Sequence, residues 1–147
     1  MKRISLLAAV LAVAAVVPAG IAGASGGRAT LKLRNTSLGK ILVNGGGSTL
    51  YAFTRDGHNV DNCVMVNGCS SVWPALTTKG KPTAGPGIKS SLIGTITLKG
   101  GKKQVTYAGH PLYTYSNGGG PGDTSYVNFS EFGGNWPAVN AAGHEVK

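Results

Sequence analysis

The sequence predicts an all-β fold: a single domain of two tandem, pseudo-symmetric halves, rich in hairpins and closing as a sandwich or barrel-like body. Three observations carry that expectation. Beyond the first two dozen residues no stretch places apolar residues at i, i+3, i+4 and i+7 over a helical length. Short runs of β-favouring residues alternate instead with turn formers, and 24 of the 147 residues are glycine. Finally, "TLYAFTRDG" at 49–57 is nearly restated by "PLYTYSNGG" at 111–119.

Taken in order, the chain opens with Met1, Lys2 and Arg3, then the apolar run "ISLLAAVLAVAAVV", Pro18 and "AGIAGASGG". A basic start, a short apolar segment and a small-residue Ala22-Gly23-Ala24 site predict a signal peptide over residues 1–24, cleaved before Ser25. The run falls short of the roughly 20 apolar residues a spanning helix needs. No later stretch is apolar enough to cross a bilayer, so no stable span is expected after cleavage. Residues 25–147 then form one domain: a first repeat over about 29–76, a connector over about 77–91 and a second repeat over about 92–147.

In the first repeat, "ATLKLRN" at 29–35 reads as a strand. "KILV" at 40–43 passes through "NGGG" into the strand "STLYAFT" at 48–54. Asn-Gly supplies the positive φ angles of a tight hairpin. The second repeat has "LIGTITLKG" at 92–100, then "QVTY", "AGH" and "PLYTYS" at 104–116. Tyr51 and Tyr113 stand 62 apart, as do Gly39 and Gly101, Gly47 and Gly109, and Phe53 and Tyr115. "WPAL" at 73–76 and "WPAV" at 136–139 stand 63 apart, which places one inserted residue in "GGGPGDTS". Along the arm 50–53 both sides carry apolar atoms, so the arm is expected to be central. Trp73 and Trp136 bury a large area when packed and are expected to close the core, in preference to serving as a sugar-stacking platform.

The two cysteines, Cys63 and Cys69 in "CVMVNGC", are expected to form one short bridge in an oxidising compartment. Their spacing is not the C-x-x-C of thiol oxidoreductases. A ring this small contributes about 2 kcal/mol. Shifted by 63, the cysteines fall on Tyr126 and Phe132. These two rings are therefore expected to touch, an apolar clasp in the core of the second copy.

Chemistry has few places to sit. Asp56, His58 and Asp61 in "DGHNVD" offer two carboxylates and an imidazole, donors that suit a divalent metal, although Asp-Gly is equally a turn former. His110 and His144 stand singly. No G-x-S-x-G elbow is present, no carboxylate pair suggests a glycosidase, and "SNGGGPGD" lacks the lysine and following helix of a phosphate loop. No arrangement of histidines, thiolate and methionine suggests a copper site. The expectation is a protein without enzymatic activity and with no required cofactor. The rival is a metal or redox site near Asp56, His58 and Tyr51.

Fourteen Lys and Arg face five Asp and Glu, a formal charge of +9, and twelve of those cations lie beyond residue 24. That balance favours anionic partners such as cell-envelope polymers. The lysines are scattered beside turns rather than clustered in a stripe, so nucleic acid is not an expected partner.

Together, "LGKILVNGGGSTLYAFTRDG", "CVMVNGCSSVWPAL", "QVTYAGHPLYTYSNGGGPGD" and "FGGNW" resemble the bacterial secreted-repeat and predicted-lipoprotein family marked by Y-x-(F/W/Y)-x-x-D. The likeness spans about residues 37–143 and implies two tandem repeats and export, without supplying an activity. Tyr51, Phe53 and Asp56 fit the motif; Tyr113 and Tyr115 fit its first two places in the second copy, where Gly118 replaces the acid. Asp123 fits the proline-glycine-acid turn that follows. The lipoprotein cysteine of many relatives is missing, so a soluble form is expected, secreted or held in the periplasm or cell envelope.

Overall fold

Leu31 and Leu33 alternate with Lys32 and Arg34 along β1 (Thr30–Thr36), the period-2 pattern of a strand with one face inward. A computed structural model describes residues 27–147; the predicted signal segment and its cleavage site lie outside the described residues. β1 pairs antiparallel with β2 (Gly39–Asn44), from Leu31 opposite Asn44 to Thr36 opposite Gly39. The second repeat repeats that hairpin as β5 (Ile93–Thr97) and β6 (Lys103–Tyr107), with Ile93 opposite Tyr107. Among the described residues no helix is long and apolar enough to cross a membrane.

The segment expected to be a plain connector does more. Its β3 (Thr77–Thr78) pairs with β6, while its β4 (Thr83–Ala84) pairs parallel with β1. One strand each is thus lent to the sheets of the second and first repeats, and the link stitches the halves together.

The arms 48–54 and 111–116 depart from the expected regular strands. Both are extended and central, but after β7 (His110–Pro111) they are held by single bridges. The reason is where their backbone groups go. Tyr51 N–H donates to the Tyr113 carbonyl at 2.9 Å, and Tyr113 N–H returns the bond to the Tyr51 carbonyl at 3.0 Å. Ala52 N–H and Thr54 N–H then turn to the carbonyls of Pro137 and Asn135. Each arm leaves its own hairpin to meet its copy across a local twofold, and the two motif tyrosines pair on that axis.

Leu50 and Ala52 face one core cluster with Leu31, Leu42, Val105, Tyr107, Leu112 and Val139. Tyr51 and Phe53 face another with the two cysteines, both tryptophans and Tyr113. Each cluster draws on both repeats, so neither half has an interior of its own. Chains of 50–60 residues bury too little to stand alone easily, and the interleaving supplies the missing surface.

Candidate functional site

The arms, Tyr51-Ala52-Phe53 and Tyr113-Thr114-Tyr115, aim their aromatic rings at the twofold. Trp73 and Trp136 are fully buried and stack with centroids 4.1 Å apart and planes 2° from parallel. Tyr51 meets Trp73 edge-on at 5.1 Å, and Tyr113 meets Trp136 edge-on at 5.2 Å. The third motif position crosses over: Phe53 stacks on Trp136 at 4.2 Å, and Tyr115 packs at a tilt of 39° against Trp73 at 4.6 Å. Offset-stacked and edge-on pairs are the arrangements the ring quadrupole favours. The motif thus gives each repeat one ring for its own tryptophan and one for its neighbour's.

The buried indole N–H groups need acceptors. Trp73 Nε1 donates to Glu131 Oε2 at 2.9 Å and Trp136 Nε1 to the Glu131 carbonyl at 3.3 Å. Glu131 ends β8 (Phe129–Glu131), which turns through Phe132 and Gly133 into β9 (Gly134–Trp136). No residue pattern marks this role, because the acid serves both copies and Gly68 stands at its place in the first.

Cys63 and Cys69 are bridged and buried. Cys69 opens the single-turn helix α1 (Cys69–Val72), and Trp73 N–H donates to the Cys69 carbonyl at 2.8 Å, so the bridge places Trp73 directly. The second copy holds its loop differently from the expected Tyr126–Phe132 contact. Tyr126 packs on Tyr115 at 4.1 Å and on Phe129 at 5.9 Å. Phe132 sits in the tight β8–β9 turn at φ 55°, beside Gly68 of the first repeat. That turn conformation carries its ring across to the other half. Both rings lie half-buried at the rim of the aromatic cluster rather than in the core.

Asp56 is where the copies part. Its Oδ2 accepts the Tyr113 hydroxyl at 2.7 Å and its Oδ1 the Asn62 N–H at 2.7 Å. Asp61 is buried beside it, accepting the Val64 N–H at 3.0 Å, with Oδ2 lacking a partner. The tyrosine that meets Asp56 therefore comes from the other repeat; Tyr51, expected here, lies at the equivalent place near Asp123. There Gly118 stands for the missing acid. Asp123 caps its own loop, accepting the N–H groups of Gly119 and Ser125 at 2.8 and 3.0 Å. His58 lies exposed against Gly109. Among the described residues no three His, Cys, Asp or Glu side chains come together to hold a metal, so the rival Asp56–His58–Asp61 ligand set is not assembled.

Burial pushes the Asp56 carboxyl up to about 6, with the Asp61 charge adding to the rise against the Asn62 and Tyr113 bonds. Burial, then the charge of Asp56, raises the Tyr113 hydroxyl far above its ordinary value; Tyr51 rises to about 12, again chiefly by burial. Asp123 is held low by its bonds from Ser125 and Gly119. The folded state binds a proton at Asp56 more tightly than the unfolded chain does. This group's contribution to stability is full below the unfolded value near 3.8 and is lost as pH rises through about 6. Chemical denaturation across that window should show Asp56→Asn flattening the profile; a slope that persists unchanged would assign it to another group.

These features define a duplicated, disulfide-clasped β protein organised around a paired Trp–Tyr axis. The chain belongs to the family of secreted repeats of unknown function, which it matches twice, over residues 32–77 and 94–140. The two matches coincide with the two hairpin-and-arm units just described. No curated protein and no solved structure matches the chain.

Proposed function

We propose that the protein is a non-enzymatic binding module of the extracytoplasmic space that holds anionic cell-envelope polymers by its surface cations. One observation carries the reading. Among the described residues the one ion pair is Lys147 with Glu145, at 4.0 Å. The other carboxylates are used internally: Asp56 on Tyr113, Asp61 on the Val64 amide, Asp123 on its own loop and Glu131 on Trp73. The remaining described cations have no carboxylate within salt-bridge reach, which favours a positive field over the surface. Lys99, Lys102 and Lys103 gather at the β5–β6 turn, all exposed.

Co-sedimentation with immobilised poly(glycerol phosphate) tests this. Retention at low ionic strength should vanish near 1 M salt, where screening shortens to about 3 Å. Changing Lys99, Lys102 and Lys103 together to Gln should lower the salt needed for release. No retention at low salt, or retention indifferent to salt, would contradict the reading.

A further inference from the structure

Two corresponding cavities lie beside the aromatic arms, and they are unlike. Phe53, Asp56, His58, His110 and Glu145 help to line the first, of about 230 Å³. Tyr51, Tyr115, Gly118, Ser48 and Asp123 help to line its counterpart, of about 60 Å³. The walls correspond: Phe53 with Tyr115, Asp56 with Gly118 and His110 with Ser48, each pair 62 apart. His58 covers Gly109, at φ 81°, much as Pro121 covers Gly47, at φ 91°. The framework survives in both copies and each cavity has an aspartate, Asp56 or Asp123, whereas both imidazoles and Glu145 line only the first. Since the second copy folds with Ser48 and Pro121 at the places of His110 and His58, the fold does not require the two imidazoles. Their presence in the larger cavity needs another reason.

We propose that the cavity of Asp56, His58, His110 and Glu145 binds a small donor-rich molecule the size of one sugar ring, neutral or carrying an ammonium group, with an amino sugar as the class. Size fits: a water's share of liquid volume is about 30 Å³, so the space suits a molecule of several polar atoms. Chemistry fits too. An ionised carboxylate only accepts hydrogen bonds, and a neutral imidazole offers one donor and one acceptor. Ring hydroxyls and an ammonium supply the donors that two carboxylates call for. An anion would meet Asp56 and Glu145, with Asp61 behind Asp56. A single ion is a poorer occupant, because these side chains line the space without three of them converging on a point. The inference is independent of polymer binding, which rests on the outer lysines.

The test is an NMR titration of the His58 and His110 imidazole signals in the mature protein, with glucosamine, glucose, glucuronate and zinc as separate probes. Glucosamine should shift both signals saturably, and glucuronate at the same concentrations should not. His110→Ser, which installs the side chain of the second copy, should weaken binding about tenfold, the loss of one hydrogen bond to a charged group. His58→Ala gives a second variant at an exposed position; unchanged far-ultraviolet circular dichroism would verify that both remain folded. The proposal is overturned by no saturable response to glucosamine. Equal binding of glucuronate, affinity unmoved in both variants, or a saturable zinc response from both imidazoles with none to sugar would each overturn it as well.

Discussion

Trp73→Ala is expected to destabilise the protein by about 3–5 kcal/mol, the usual range for removing a buried tryptophan. Domains of this size are stable by only about 5–15 kcal/mol, so the change would remove a large share of the total. The effect is structural at three levels. The ring is wholly buried, it stacks on Trp136, and it takes Tyr51 edge-on and Tyr115 on its face. Its loss opens a void between the copies and leaves the Glu131 carboxylate without its indole donor. Since Trp73 touches rings of both repeats, guanidinium unfolding should remain one cooperative transition with a lowered midpoint. A loss below about 1 kcal/mol, within the range of ordinary surface changes, would show that the stack contributes little.

Removing the bridge by changing Cys63 and Cys69 together to Ala should cost about 2–3 kcal/mol. The chain-entropy account of so short a ring gives about 2 kcal/mol, and two fully buried sulfurs add their packing. The consequence should be local before it is global. The bridge fixes the turn of helix that delivers Trp73, so the variant should show altered tryptophan emission at temperatures below its melting transition. Thermal melts of the oxidised, reduced and double-alanine forms would check this. Equal midpoints in all three would mean that the second copy's non-covalent solution suffices in the first as well.

Much of this architecture was legible in the residues, for identifiable reasons. The hairpins β1–β2 and β5–β6 follow from period-2 alternation between turn formers. The duplication follows from constant spacing between Gly47 and Gly109 and between Tyr51 and Tyr113. Burial of both tryptophans follows from their size and their repetition in one setting. What escaped was the choice of individual partners across the copies. The arms read as strands because their side chains alternate, yet their backbone partners are chosen by the other repeat. Tyr126 and Phe132 occupy the places of the cysteines, but the φ of Phe132 sends its ring elsewhere. Asp56 reads with His58 and Asp61 as a loop motif, whereas its hydroxyl donor lies 57 residues away at Tyr113. Glu131 had no signal at all, since one acid answers for two indoles. Sequence spacing reports local geometry and repetition; it does not report which repeat a side chain reaches.

The same asymmetry bears on function. The second copy has Gly118 at the place of Asp56 and Pro121 at the place of His58, while Asp123 supplies an aspartate beside Tyr51. Structural demands act on both through the shared core. The difference therefore concentrates at the Asp56 side, where a half-buried proton-binding carboxyl and two imidazoles border the larger of the two corresponding cavities.

A double-mutant cycle between Trp73 and Trp136 tests most directly whether the copies share one interior across the twofold. Trp73→Leu, Trp136→Leu and the double variant would be unfolded in denaturant beside the native protein. Coupling of about 0.5–1.5 kcal/mol is expected, as for aromatic rings in contact. Losses that simply add, within about 0.3–0.5 kcal/mol as for distant independent sites, would contradict the stack and the common interior built around it.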